Sequence, residues 1–149
     1  MKALLLDAIR EELRAQLLRL KQAAQEAHAA ATDAGSKAES KYDTRNLEAS
    51  YLASGQAKQV EELAEALRLF EAFDASFIAQ VDTIVMGSLV GTSDGSWFLL
   101  APSAGGLEIS CEGREVTVLT PSSPLYQKLL GAKCGDFIEG GSRFIKTIL

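Results

Sequence analysis

Apolar residues recur at steps of three and four along the first half of the chain, which is the spacing of one helical face. A first seam consists of Ile9, Leu13, Leu17, Leu20, Ala24, Ala27 and Ala31, and a second of Val60, Leu63, Leu67 and Phe70. Between the seams, Gly35 suits the left-handed end of a helix, and Ser36 with Glu39 forms a capping box. The pattern predicts two long helices, over residues 1–32 and 37–73, paired antiparallel as a coiled-coil hairpin.

The second half of the chain has the pattern of a sheet. Residues 77–149 hold ten of the 12 glycines and all three prolines, which separate five runs rich in β-forming residues. These runs are IVMGSLV, SWFLL, LEISC, EVTVL and RFIKTIL. We therefore predict an α+β protein with a helical finger at 1–76, its tip at about 33–45, and a small β-rich domain at 77–149.

Composition and charge narrow the classes of function. The 15 basic and 20 acidic residues give a net charge of −5, the wrong sign for a protein that mainly neutralises a phosphate backbone. No apolar run is long enough to span a membrane, and Asp7 interrupts the apolar start before a secretory signal can form. Cys111 and Cys134 lack the spacing of a zinc site, so we predict both as small core residues. These features favour a cytoplasmic protein.

Carboxylates concentrate at the predicted tip. Glu39 and Asp43 are four residues apart and share one helical face, while Asp33 lies just before them. A basic set repeats at the same spacing on another face: Lys37, Lys41 and Arg45. Two or three convergent carboxylates can share a hard divalent cation, with water and a partner's groups as the remaining ligands. The alternative is a solvated charged surface in which Glu39 serves the capping box.

A run near the end of the chain carries a family resemblance. Residues 123–136 read S-P-L-x-x-x-L-L-G-x-K-x-G-D, within TPSSPLYQKLLGAKCGDFIE. Together with the Ala-rich helical hairpin and its acidic turn, this run resembles the bacterial GreA/GreB-type transcription elongation factors, which promote transcript cleavage. The resemblance extends over the whole chain. The residue pattern of the run 123–136 also predicts a short helix, because Pro124 suits the first helical turn and Gly131 suits the helix end.

The resemblance implies a fold and a partner. The second domain would be FKBP-like and would dock on RNA polymerase beside the secondary channel, using Ser123, Pro124 and Leu125. The coiled coil would enter that channel, so that the protein meets nascent RNA only indirectly. Neither a membrane nor a specific DNA sequence is expected as a partner, and the implied location is the bacterial cytoplasm.

The resemblance also implies a chemical role for the tip. Asp33 takes the place of the family's tip aspartate and Glu39 that of its glutamate, so both would hold a Mg²⁺ ion shared with the polymerase in the complex. The polymerase itself would then hydrolyse backtracked RNA. The chain would thus be no enzyme and would carry no cofactor alone.

Three alternatives remain open. Asp33 and Glu39 are six residues apart, twice the separation usual in the family, which leaves room for a non-cleaving regulator of initiation or pausing. In that case Lys37, Lys41 and Arg45 would suit contacts with RNA or a nucleotide phosphate. From other classes, an FKBP-like domain suggests a peptidyl-prolyl isomerase or chaperone, and the coiled coil suggests an adaptor that binds through the sides of the helices.

Overall fold

The computed structural model describes residues 1–32, 45–75, 81–138 and 140–149. It contains helices α1 (Lys2–Thr32), α2 (Arg45–Ala72) and α3 (Pro124–Leu129), and five strands. The strands are β1 (Leu89–Thr92), β2 (Trp97–Leu100), β3 (Glu108–Cys111), β4 (Arg114–Leu119) and β5 (Ile145–Ile148). The predicted α+β class, with two long helices followed by a sheet, is confirmed.

Burial along α1 and α2 follows the predicted seams. In α1, Ile9 and Leu13 are buried, and the seam positions from Leu17 to Ala27 are half-buried. In α2, Leu67 and Phe70 are buried, while Val60 and Leu63 are half-buried. Strong helix formers fill the remaining positions, so local propensity and the apolar face agree. The start of α2 predicted at residue 37 and the capping box lie outside the described residues.

The chain forms two compact units whose limits differ from the predicted domain boundary near residue 76. One unit comprises residues 12–65, which include parts of both long helices. The other comprises residues 1–11 together with 66–149. The ends of α1 and α2 thus belong to the same unit as the sheet.

Side-chain hydrogen bonds hold these helix ends within the unit that contains the sheet. Ser103 is buried, and its Oγ donates a hydrogen bond of 2.6 Å to the carbonyl oxygen of Ala66 in α2. The Arg10 guanidinium donates to the carbonyl oxygen of Phe73 at 2.9 Å. Because carbonyls at the end of a helix lack partners within the helix, the Arg10 donor satisfies a group directly after α2, while Ser103 adds a second hydrogen bond to a carbonyl inside it.

The five strands form one mixed sheet in the order β3-β4-β2-β1-β5. Strands β2 and β4 are parallel, and the other neighbours are antiparallel. All five predicted runs contribute a strand, but β1 begins at Leu89 rather than Ile84. The chain turns before it, because Gly87 has a φ of 96° and the Ser88 amide donates to the Val85 carbonyl at 3.0 Å.

The sheet is buried on both faces along its central strands β1 and β2. One face packs against α3 in a cluster of Ile84, Val90, Phe98, Leu100, Leu119, Tyr126, Leu129, Ile138, Ile145 and Ile148. Alternate residues of the same strands, such as Leu99 and Val116, are fully buried on the other face.

The two cysteines have different environments. Cys111 ends strand β3 and is buried, as predicted. The prediction of a core position for Cys134 is wrong, because this residue lies in a turn and is exposed. No helix in the described ranges is both long and apolar enough to cross a membrane.

Candidate functional site

The acidic segment predicted as the tip lies between the two long helices. Asp33, Glu39 and Asp43 fall in residues 33–44, outside the described residues, as do Lys37 and Lys41. Arg45 is the first residue of α2. The predicted metal role of Asp33 and Glu39 therefore stays a prediction. Within the described ranges, no three His, Cys, Asp or Glu side chains are placed to hold a metal ion.

The predicted docking residues form the entry to α3. Pro124 is the first residue of α3, where its missing amide hydrogen costs nothing, and it is exposed. Ser123 precedes it in an extended conformation, and its side chain makes no capping hydrogen bond. Leu125 is half-buried against the core cluster. The entry to α3 therefore presents a serine hydroxyl and a proline ring at the protein surface.

The rest of the motif holds α3 in place. Leu129 is fully buried, which contributes about 2 kcal/mol from apolar burial. Gly131 ends the helix with a φ of 81°, and its amide donates to the Ile84 carbonyl at 2.7 Å. The Asp136 carboxylate accepts a hydrogen bond of 2.9 Å from the Lys133 amide and so closes the following turn. Leu129, Gly131 and Asp136 thus each have a role in the folded structure of this segment. Ser123 and Pro124 remain as the candidates for contact with a partner.

Three apolar side chains near the end of α3 are exposed, although the hydrophobic pattern of the sequence does not predict their exposure. The sequence predicts that the short helix ends at Gly131, but α3 ends at Leu129, and Leu130 is 45% exposed in an extended conformation. Val85 and Met86 are also exposed. They follow Ile84, which exchanges backbone hydrogen bonds with Gly131 and Ala132. We call Val85, Met86 and Leu130 the apolar patch; the turn at Gly87 was the signal that could have revealed it.

A cleft of ≈290 Å³ opens where β2 and β4 begin. It is lined by Asp94, Gly95, Ser96, Trp97, Phe98, Glu108, Glu115 and Thr117. Trp97 faces Gly91 on the neighbouring strand, where an added Cβ would lie 2.9 Å from the indole ring. The Arg114 guanidinium lies 4.8 Å from the centre of the same ring. The Trp97 side chain is thereby fixed on the face of the sheet opposite to that of Phe98.

Asp94 is held at the rim of this cleft by its own turn. Its carboxylate accepts hydrogen bonds from the Thr92 hydroxyl and the Ser96 amide. The Thr92 hydrogen bond is the main cause that lowers the pKa of Asp94 from 3.8 to about 2, followed by the Ser96 amide. Arg143 adds an exposed ion pair at 3.4 Å, which contributes little.

Replacing Thr92 by valine should raise the pKa of Asp94 toward its ordinary value, because valine keeps the shape but removes the hydroxyl donor. Since the pKa of Asp94 in the folded protein is about 2, below 3.8, the carboxylate's stabilisation is present above pH 3.8 and is lost as pH falls toward 2. Carboxyl NMR titration measures the pKa directly. Thr117→Val is the control and should leave it unchanged; equal pKa values in wild type and Thr92→Val would contradict the assignment.

Comparison with known proteins gives one structural similarity. No protein-family model matches the chain. No curated protein matches it either. Among solved structures, the chain is similar to GreA factor homolog 1 (Gfh1) of Thermus thermophilus, with 20% sequence identity, a TM-score of 0.33 and 94% of each chain covered.

Proposed function

We propose that this protein is a transcription elongation factor that binds RNA polymerase at its secondary channel and promotes cleavage of backtracked RNA. The polymerase performs the hydrolysis, and this chain is its accessory protein rather than an enzyme. The proposal combines the acidic segment at 33–44 with the docking residues at the entry to α3.

The observation that carries the proposal is the position of the acidic segment between two long helices. α1 has 31 residues and ends at Thr32, and α2 has 28 and begins at Arg45. At 1.5 Å per residue these helices are about 46 and 42 Å long. Helices of this length can carry a short acidic segment into a channel too narrow for a globular domain.

The docking surface in the proposal consists of the α3 entry and the apolar patch at the other end of the same helix. Ser123 and Pro124 offer a hydroxyl group and an exposed ring. Leu130, Val85 and Met86 add exposed apolar area at the other end of α3. Contiguous apolar side chains at a surface commonly mark a site of protein association. We assign this surface to the rim of the polymerase channel.

The chemical role proposed for the acidic segment follows from its donor set. Asp33 and Glu39, with Asp43 nearby, supply the carboxylate oxygens that Mg²⁺ prefers. A second Mg²⁺ bound between the polymerase and these residues would activate water and stabilise the charge that develops on the phosphate. The carboxylates would orient that ion.

The test is addition of the full chain to a stalled, backtracked elongation complex with Mg²⁺. We expect binding to core polymerase and release of short RNA fragments from the transcript's 3′ end. Binding without faster cleavage would favour the alternative, a non-cleaving regulator. Absence of binding to core polymerase would contradict both the cleavage factor and the non-cleaving regulator.

Substitution of Leu130 by glutamate tests the docking surface. We expect the affinity for polymerase to fall at least about tenfold, because a charge would be buried in an apolar contact. Leu18→Glu is the matched control, since Leu18 is 58% exposed on the side of α1. Both affinities are measured by titration of labelled protein with core polymerase. Loss of binding only in Leu18→Glu would instead indicate an adaptor that binds through the sides of its helices.

A further inference from the structure

Strand β3 forms one edge of the sheet. The carbonyl oxygen of Leu107, just before β3, accepts a hydrogen bond of 2.8 Å from the Val118 amide. In an antiparallel strand, the amide and carbonyl groups of alternate residues point to the same side. The amides and carbonyls of Ile109 and Cys111 therefore face β4, as the carbonyl of Leu107 does. The amides and carbonyls of Glu108 and Ser110 therefore point away from the sheet. No strand in the described part of the chain pairs with them.

The cleft described above adjoins this edge. Glu108 lies opposite Thr117 in the register of β3 and β4, and Glu115 is two residues before Thr117 on β4. All three side chains therefore project from one face of the sheet. That face is the one from which Phe98 projects, since Phe98 pairs with Thr117. The side chain of a residue paired with the outer edge of β3 would stand next to the cleft.

The cleft has the charge of a cation site. Its lining includes Asp94, Glu108 and Glu115 and contains no Lys or Arg. Glu108 and Glu115 are exposed, and neither has an ion pair within the described ranges. Their side chains are diagonal neighbours on adjacent strands, where two like charges repel unless a cation lies between them.

The protein already places one guanidinium at the rim of the cleft. The Arg143 guanidinium lies 5.9 Å from the centre of the Phe98 ring and 3.4 Å from the Asp94 carboxylate. A flat cation is thus accommodated by an aromatic face and a carboxylate. Glu108 on β3 and Glu115 on β4 also offer carboxylates, and neither forms an ion pair with a described residue.

Size and geometry favour an organic cation over a metal ion. Described carboxylates do not converge in a group of three that could hold a metal. A volume of ≈290 Å³ is at the lower end for small-molecule sites and is sufficient for one long side chain. An arginine fits, because its guanidinium can pair with a carboxylate while its alkyl part lies along the cleft.

We propose that the β3 edge binds an extended, arginine-bearing segment of a partner protein, which adds as a strand and places one arginine in the cleft. Main-chain hydrogen bonds to Glu108 and Ser110 would supply affinity, and the cleft would supply selectivity for the side chain. The negative lining of the cleft complements the positive segment. This surface is distinct from the α3 entry, and the inference does not depend on the proposed function.

A short synthetic peptide tests the inference with the full chain. The probe has a central arginine flanked by threonine and valine, and the comparison peptide has citrulline, which is similar in shape but uncharged. Isothermal titration calorimetry measures the affinity of each peptide for the full chain. We expect saturable binding of the arginine peptide with a Kd at or below about 1 mM, and at least about tenfold weaker binding of the citrulline peptide.

Two variants separate the edge from the cleft. Ser110→Pro removes an amide that points away from β4, so the sheet should be retained and peptide binding lost. Glu108→Lys with Glu115→Lys should weaken binding at least about tenfold. The matched control is Glu61→Lys with Glu62→Lys, which makes the same charge change at exposed positions on α2. It should bind like wild type.

Backbone NMR spectra locate the contact. We expect the amide signals of Glu108 and Ser110 to shift on titration with the arginine peptide. Equal binding of both peptides, unchanged binding to a folded Ser110→Pro variant, or shifts confined to other strands would overturn the proposal. So would a complete lack of binding by the arginine peptide.

Discussion

Mg²⁺-dependent cleavage of backtracked RNA will fall by orders of magnitude in a triple amide variant, which combines Asp33→Asn, Glu39→Gln and Asp43→Asn. The amides keep the size of the side chains but remove the anionic oxygens that hold a hard divalent cation. A metal that activates the attacking water and stabilises the leaving group is central to the barrier of phosphodiester hydrolysis. The measurement is the rate at which a labelled, backtracked transcript is shortened.

Affinity for polymerase should change little in the same variant, because the docking surface at α3 is untouched. The matched control replaces Lys37, Lys41 and Arg45 by glutamine, which changes as many charges in the same segment while leaving every carboxylate. This control should retain most of the cleavage activity. Full cleavage activity in the triple amide variant would eliminate the metal role of the acidic segment.

Phe70→Ala should lower the free energy of unfolding by about 3–5 kcal/mol, the cost of an emptied aromatic site in a core. Phe70 is fully buried and packs edge-to-face on Phe73 with ring centres 5.8 Å apart. It lies in the part of α2 that belongs to the sheet unit. Small domains are stable by only about 5–15 kcal/mol, so this loss is large.

The neighbouring Leu69 provides the control, since it is 37% exposed. Leu69→Ala should cost less than about 1 kcal/mol. Urea unfolding followed by circular dichroism gives both values. Similar losses for the two variants would show that the seam register in α2 is wrong.

The helices and strands were predictable because their signals are local. The seam residues of α1 and α2 repeat at helical spacing, and their burial follows from that spacing alone. Each run of β-forming residues was bounded by turn residues, and each contributed a strand. The roles of Pro124 at the first turn of α3 and of Gly131 directly after the helix were likewise predicted correctly.

Errors arose where tertiary contacts decide the local structure. Leu130 has the side chain of a core residue, but its backbone leaves the helix one position before Gly131, so it becomes exposed. Cys134 sits in a turn stabilised by the Asp136 carboxylate, a contact that no periodicity reveals. The start of β1 depends on the positive φ of Gly87, which made the preceding residues a turn.

The candidate site was predictable only in part. The motif identified Ser123 and Pro124, but not the apolar patch, which is assembled by hydrogen bonds between Gly131 and Ile84. The cleft could not be foreseen either, because it depends on the parallel pairing of β2 with β4. A parallel neighbour is not apparent from the order of the strands along the chain.

The most direct measurement is cleavage of the bound protein by hydroxyl radicals generated at the polymerase active site, with Fe²⁺ in place of the catalytic Mg²⁺. The radicals cut chain segments close to the metal. We expect cuts within residues 33–44 in the complex and none in the free protein, with loss of the cuts in Leu130→Glu. A bound protein that is cut in the sheet unit, or is not cut at all, would contradict placement of the acidic segment at the polymerase active site.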